Sequence, residues 1–251
     1  ITPHVNPNKV MVVFTGGEAL MRRDLETAGL ELYKRGYPWG IVTNAMLLDE
    51  RRFDSLLRAG LHSMTISIDG FESDHNYIRR NDSSYANALR GLRLMVREPD
   101  IKCDVVTCVN RDNFASLCDF REMLISEGLK SWRVFTIFPV GRGAQDERLQ
   151  LSDEQFVELM EFIKETRRDG RIALDYGCEG FLGSYEAEVR DGFYHCSAGV
   201  TIGGIRIDGS ISGCTSIRAN YDQGNIYRDD FMDVWNNGFR EYRDRPWLKT
   251  G

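Results

Sequence analysis

Apolar positions along the chain recur in a fixed alternation: a short apolar run that stops at small or polar residues, then a stretch with apolar residues at helical spacing. The first run, Met11-Val12-Val13-Phe14, has no polar alternation, which suits a strand buried on both faces in a parallel sheet. It ends at Thr15-Gly16-Gly17-Glu18-Ala19-Leu20. Leu25, Ala28 and Leu32 then predict a helix over 24–35 that stops at Gly36, and Trp39 to Val42 reads as the next strand, closing at Thr43-Asn44-Ala45. Asp49 is placed to cap a helix carrying Phe53, Leu56 and Leu57. A strand over 63–68, a helix over 85–97, a strand over 102–109, a helix over 114–126 with Asn113 as its expected cap, and a strand over 132–138 continue the series. The pattern predicts five strands with four intervening helices, and every informative turn falls at a strand's C-terminal end, where parallel α/β proteins bind ligands.

From Leu151 the rhythm changes. Phe156, Leu159, Phe162 and Ile163 predict a helix over 152–168, followed by a strand over 171–176 and a loose glycine-containing bridge over 177–192. Alternating Val200, Ile202, Ile205 and Ile207, then Asp208-Gly209 and Ile211, predict a β-hairpin flanked by Cys196 and Cys214.

At 251 residues, 42% hydrophobic and 28% charged, the chain can bury a sizeable core. A net charge of −6 argues against a bulk nucleic-acid binder, which needs clustered Lys and Arg. No apolar run reaches the length of a membrane span and no secretory signal opens the sequence, so a cytoplasmic, reducing compartment is expected and the six cysteines read as free thiols or metal ligands. Cys103, Cys108 and Cys118 are expected in the core, and Cys178 is unassigned. Ile1 leads almost directly into a strand, and the chain is expected to be an internal piece of a longer protein.

Gly16 and Gly17 permit positive φ and close approach of a ligand, and Glu18 adds a fixed negative charge. Taken alone, this is also an ordinary strand-to-helix turn with an acid in the first helical turn. Ser67-Ile68-Asp69-Gly70 with His75 and Arg79 downstream, and Pro139-Val140-Gly141-Arg142, mark two further strand ends. Taken alone, Arg79 is a solvated helix charge, His75 a structural histidine, and the last segment a turn.

Together these strings resemble the radical S-adenosylmethionine (SAM) superfamily, with Ala19 in place of the usual proline after Gly-Gly-Glu. The spacing Cys196-x12-Gly209-x4-Cys214 resembles the opening half of the SPASM domain, an auxiliary iron–sulfur module. The resemblance implies an α/β fold: a partial (β/α)6 barrel over 1–150 with about five βα units present, a helix and bridging segment over 151–192, and a truncated SPASM domain over 193–251. It implies an enzyme that, at full length, cleaves SAM at a 4Fe-4S cluster to abstract hydrogen from a substrate. Gly16, Gly17 and Glu18 would meet the SAM amino group. Thr43, Ser67, Asp69 and Arg79 would line the cofactor site, with Ser67 and Arg79 at ribose or carboxylate, and Pro139 and Gly141 beside adenine. Cys196 and Cys214, folded together by the hairpin, would ligate one of one or two auxiliary clusters. The cysteines of the catalytic cluster, Cys-x3-Cys-x2-Cys, occur nowhere in the sequence, so the chain as given is expected to be inactive and its sheet to expose an open edge and an apolar interior, through which it could self-associate. A peptide or protein substrate is the first expectation, and a tetrapyrrole or other cofactor precursor the second. An electron donor such as flavodoxin or ferredoxin is implied, and neither nucleic acid nor membrane. Thr215 follows Cys214 where sulfatase-maturating relatives have aspartate, which counts against that subfamily. A cluster-free SAM-binding or interaction module on the same barrel is the reading from a different class.

Overall fold

The computed structural model describes residues 1–177, 179–217 and 219–244. It divides into two units, one spanning Pro7–Phe193 and the other comprising Ile1–Asn6 with Tyr194–Gly251. Cys178 and the segment 247–251, where the auxiliary-domain pattern was expected to continue, lie outside the described residues. Among the described residues no helix is long and apolar enough to cross a membrane.

The larger unit runs β1 (Val12–Phe14), α1 (Leu25–Lys34), β2 (Trp39–Thr43), α2 (Glu50–Arg58), β3 (Leu61–Ser67), α3 (Glu72–Arg79), α4 (Ser84–Met95), β4 (Lys102–Val109), α5 (Leu117–Ser126), β5 (Ser131–Thr136), α6 (Arg142–Gln145), α7 (Asp153–Asp169) and β6 (Ala173–Tyr176). The strands form one parallel sheet in sequence order, with β1 and β6 at its edges, so the sheet is open as expected. It has one strand more than the five expected. Ala173–Tyr176, predicted as a strand in the segment after the barrel, pairs in parallel with β5 and so joins the sheet.

Alternation decides the two faces. Trp39, Ile41, Met64, Ile66, Val105, Trp132, Val134 and Leu174 are no more than 1% exposed and form one core with Ala88, Leu92 and Met95 of α4 and Leu159, Met160 and Ile163 of α7. Each such side chain contributes roughly 1.5–3 kcal/mol by leaving water. The fit is close enough that Gly29 of α1 cannot be replaced, because an added Cβ would lie 2.3 Å from Cζ2 of Trp39. Side-chain caps fix the helix starts: Asp49 accepts from the amide of Arg52, and Ser152 with Gln155 forms a capping box.

The opposite face carries Val42, Thr65, Ser67, Asp104, Val106, Cys108, Arg133 and Asp175, most of them partly exposed. The expectation of an apolar interior is therefore corrected: this face is mixed, and Thr65, Asp104 and Arg133 satisfy one another by hydrogen bonds across three strands. Cys118 also departs from expectation, lying exposed on the outer side of α5, whose buried residues are Leu117, Phe120 and Leu124.

The smaller unit holds β7 (Gly204–Ile205), β8 (Ser210–Ser212) and β9 (Gly224–Asn225) in an antiparallel sheet, then α8 (Phe231–Asn237) and α9 (Arg240–Arg243). The hairpin turns where predicted: Gly209 has φ +83°, and the Asp208 carboxylate accepts from the Ser210 amide at 3.0 Å. The isoleucine stripe does not become a core, since Ile202, Ile205 and Ile207 are 49%, 52% and 101% exposed. Its apolar interior is instead Ala198, Ile211, Met232 and Phe239, with Trp235 edge-on to Phe239. The Arg243 guanidinium lies 4.7 Å from the Trp235 ring centroid and donates to the Gly199 and Trp235 carbonyls.

Candidate functional site

The C-terminal ends of β1, β2 and β3 gather most of the residues expected to hold a cofactor. Gly16 and Gly17 are exposed immediately after β1; Gly16 has φ +110°, and a Cβ added at either glycine would meet nothing within 4 Å. Their backbone is thus open to an incoming group.

Glu18 is not. Its Oε1 accepts from the Leu20 amide at 3.0 Å and from the Thr43 hydroxyl at 2.5 Å, and its Oε2 accepts from the Asn44 amide at 2.8 Å. The Thr43 oxygen in turn accepts from the Ala45 amide at 3.0 Å. Glu18 and Thr43, both expected to meet the cofactor, meet each other and fasten the turn after β1 to the turn after β2. Ala45, next in this turn, is held at φ +59° and is fully buried.

Asp69 is fully buried and is also committed internally. Its Oδ2 accepts from Nε of Arg79 at 2.7 Å and is ion-paired with Nη2 at 2.7 Å, and its Oδ1 accepts from the Cys108 amide at 3.0 Å. The bidentate partner of Arg79 is therefore Asp69, so the two N–H groups of that edge are not available to clamp a ligand carboxylate. The Asp69 amide donates to Nδ1 of His75 at 2.9 Å, which makes Nδ1 an acceptor and leaves Nε2 to donate to the Ser84 hydroxyl at 3.0 Å. Burial first, and the nearby Arg79 charge after it, lower the His75 pKa to about 4 against the opposing pull of Asp69, so the ring is neutral at physiological pH. Asn113 completes the knot. Instead of capping a helix with its side chain, it donates to the Asp69 and Cys108 carbonyls at 2.8 and 2.9 Å and accepts from the Asn110 amide at 2.9 Å.

Ser67 closes β3, half-buried, on the mixed face. Cys108 shares that face, and burial, reinforced by Asp69, pushes its thiol up to about 12; burial likewise raises Cys103 to about 11. Both are protonated, unreactive thiols. Pro139 and Gly141 lie exposed between β5 and α6, with Gly141 at φ +61°. A cluster that sequence reading missed stands beside them at the ends of β5 and β6. There Oε2 of Glu179 accepts from the Thr136 amide at 2.9 Å, the Thr136 hydroxyl at 2.6 Å and the Tyr176 hydroxyl at 2.5 Å. Pairing of the sixth strand would have revealed it, since that pairing puts Tyr176 and the loop after it beside Thr136.

In the smaller unit Cys196 is exposed and Cys214 half-buried, with the Ser216 amide 3.4 Å from the Cys214 sulfur. The Tyr242 hydroxyl is raised in pKa by burial first, then by the neighbouring Tyr221 and Glu241. No group of three or more His, Cys, Asp or Glu able to hold a metal ion occurs among the described residues. The two thiols fit thiolate ligation of iron as part of a ligand set rather than the whole of one.

Comparison with known proteins follows the same division. The profile of the Radical SAM superfamily matches residues 4–124, and that of SPASM, an iron–sulfur cluster-binding domain, matches residues 196–250. The AdoMet-dependent heme synthase of Methanosarcina barkeri is 24% identical over 96% of this chain and 73% of its own length, and the Fe-coproporphyrin III synthase of the same organism is 24% identical over 90% and 61%. The PqqA peptide cyclase of Bradyrhizobium diazoefficiens is 26% identical over 96% of this chain and 64% of its own length. Among solved structures, anSMEcpe with bound AdoMet superposes with a TM-score of 0.72 at 16% identity, covering 96% of this chain and 67% of that one. SuiB of Streptococcus suis bound to S-adenosylmethionine gives 0.65 at 17% identity, covering 90% and 54%. These two likenesses establish the fold.

Proposed function

We propose a radical hydrogen-abstraction activity from one premise: this chain belongs to the radical SAM superfamily and carries a SPASM iron–sulfur cluster-binding domain. When bound, a 4Fe-4S cluster and SAM supply a 5′-deoxyadenosyl radical, and that chemistry is the cofactors' own. The chain's part is to bind, orient and shield. The observation that carries the reading is the open backbone of Gly16 and Gly17 at the end of β1, next to the Glu18–Thr43 lock. Carbonyls there are free to approach an ammonium group, while Glu18 and Thr43 hold the turn that presents them. The Ser67 hydroxyl would serve a ribose or carboxylate, and the backbone from Pro139 to Gly141 would pack beside adenine. Asp69 keeps Arg79 in place, so any ligand contact from Arg79 uses the edge of its guanidinium that Asp69 leaves open. Cys196 and Cys214, as thiolates, would hold part of an auxiliary cluster suited to take up or relay the electron released by substrate oxidation, and a flavodoxin- or ferredoxin-like partner would supply the reducing electron for SAM cleavage.

For the substrate, the peptide reading leans on the PqqA peptide cyclase, and the tetrapyrrole reading on the heme and Fe-coproporphyrin III synthases. Anaerobic reconstitution of the full-length protein with iron and sulfide, followed by dithionite and SAM, tests the activity. The expected product is 5′-deoxyadenosine, formed by the wild type and strongly reduced in Gly17→Val. No 5′-deoxyadenosine from the wild type overturns the reading.

A further inference from the structure

The face of the parallel sheet turned away from the helices carries, in its middle, a guanidinium that no part of the proposed cofactor site uses. Arg133 projects from β5, donating from Nε to Oδ2 of Asp104 at 2.5 Å and from Nη2 to the Thr65 hydroxyl at 3.1 Å. The Thr65 hydroxyl itself donates to Oδ1 of Asp104 at 2.5 Å, which closes the triad across β3, β4 and β5.

Exposure is uneven within the triad: the Arg133 side chain is 41% exposed and that of Asp104 16%, while Thr65 is 8% exposed. The two acceptors lie beneath and the cation above. A guanidinium has five N–H donors, of which these bonds use two, so the remaining three are offered outward. Braced in this way, Arg133 loses little further rotamer freedom on binding, and its planar fork matches a carboxylate. Asp175, level with Arg133 on β6, is paired with Arg167. Register places the fork. Ser67 pairs with Val106, and Val106 with Arg133, so Ser67 and Arg133 stand level on the same face two strands apart, about 10 Å between backbones.

We propose that Arg133, braced by Asp104 and Thr65, anchors a carboxylate of the substrate on the helix-free face of the sheet. The inference deepens the radical SAM reading and rests on it for the identity of the bound molecule as substrate. The carboxylate is supplied either by a carboxylated tetrapyrrole or by an acidic side chain of a peptide.

Equilibrium binding to the reconstituted full-length protein tests this with iron coproporphyrin III, its tetramethyl ester and hexaglutamate as probes. The wild type is expected to bind one of the two free acids, and Arg133→Gln to bind that acid at least 10-fold more weakly, with the ester bound equally by both proteins. The acid that responds identifies the source. Arg133→Lys keeps a cation beside Asp104 but not the fork, and is expected to recover only part of the loss, which separates recognition from folding. Equal binding of acid and ester by the wild type, an unchanged Kd in both variants, or no binding of either acid overturns the proposal. Formation of 5′-deoxyadenosine from SAM alone is measured in parallel. Its presence with an unresponsive Arg133 removes this inference and leaves the radical reading standing, whereas its absence removes that reading whatever Arg133 does.

Discussion

In the larger unit, Met64 and Ile66 alternate with Ser63, Thr65 and Ser67 on β3 and are fully buried. In the smaller one, Ile202, Ile205 and Ile207 belong to a similar alternation and are half to fully exposed. The difference is the covering layer. Helices α4 and α7 lie over one face of the parallel sheet with their own apolar stripes, whereas the three-stranded sheet has strands of two or three residues and is followed by helices of seven and four residues. Alternation marks the face that can be buried, and only a second apolar surface buries it. The smaller unit relies instead on aromatic rings, an arginine over Trp235, and thiols suited to iron. Metal ligation supplies folding free energy where a core is thin.

The contrast can be broken most sharply at Asp69. Asp69→Ala leaves Arg79 and the Cys108 amide without their carboxylate inside the fold, and is expected to cost about 3–5 kcal/mol in urea unfolding of the larger unit. A loss below about 1 kcal/mol would show that the knot is decoration. One side chain type compared in the two settings comes next. Ile66→Ala should cost about 2–5 kcal/mol, and Ile207→Ala less than about 0.5 kcal/mol, measured by the same unfolding experiment.

Acid should separate the units too. His75 has a folded pKa of about 4, below its ordinary value of 6.5, so between those two values the unfolded chain binds the extra proton. Stability contributed by the neutral ring is present above pH 6.5 and is lost as pH falls towards 4, by up to roughly 3 kcal/mol. A Tm of the larger unit that stays flat across this window, or rises on acidification, would contradict a neutral buried imidazole. Smallest among the losses expected in the larger unit is Glu18→Gln, which keeps the shape but turns one accepting oxygen into an N–H donor facing another donor, for an expected loss of about 1–2 kcal/mol by denaturant titration.

How far the sequence disclosed this architecture follows from the range of each interaction. Strand ends, the Gly16-Gly17 turn, the cap at Asp49 and the Asp208-Gly209 hairpin are local events, and their signals lie within a few residues. Cys118 was misread as core although the signal was local, because Leu117, Phe120 and Leu124 define a helix face that leaves it outside. The sixth strand was visible as a strand, but its pairing with β5 is made across the long helix α7 and has no local mark. For the same reason the residues at the strand ends could be placed there from sequence, while their hydrogen-bond partners could not. Glu18 reaches Thr43, 25 positions away, and Asn113 reaches Asp69, 44 positions away. The triad of Thr65, Asp104 and Arg133 spans 68 positions, and only the register of three strands brings it together.

The Glu18 carboxylate works as a rivet through two plates: one oxygen is shared by its own turn and the Thr43 hydroxyl, the other is taken by the backbone of Asn44. Two turns riveted in this way have no independent soft motion. With both amides bonded to one carboxylate, the Leu20 and Asn44 amides are expected to exchange with deuterium at one shared free energy, and cutting the rivet should let the two rates drift apart.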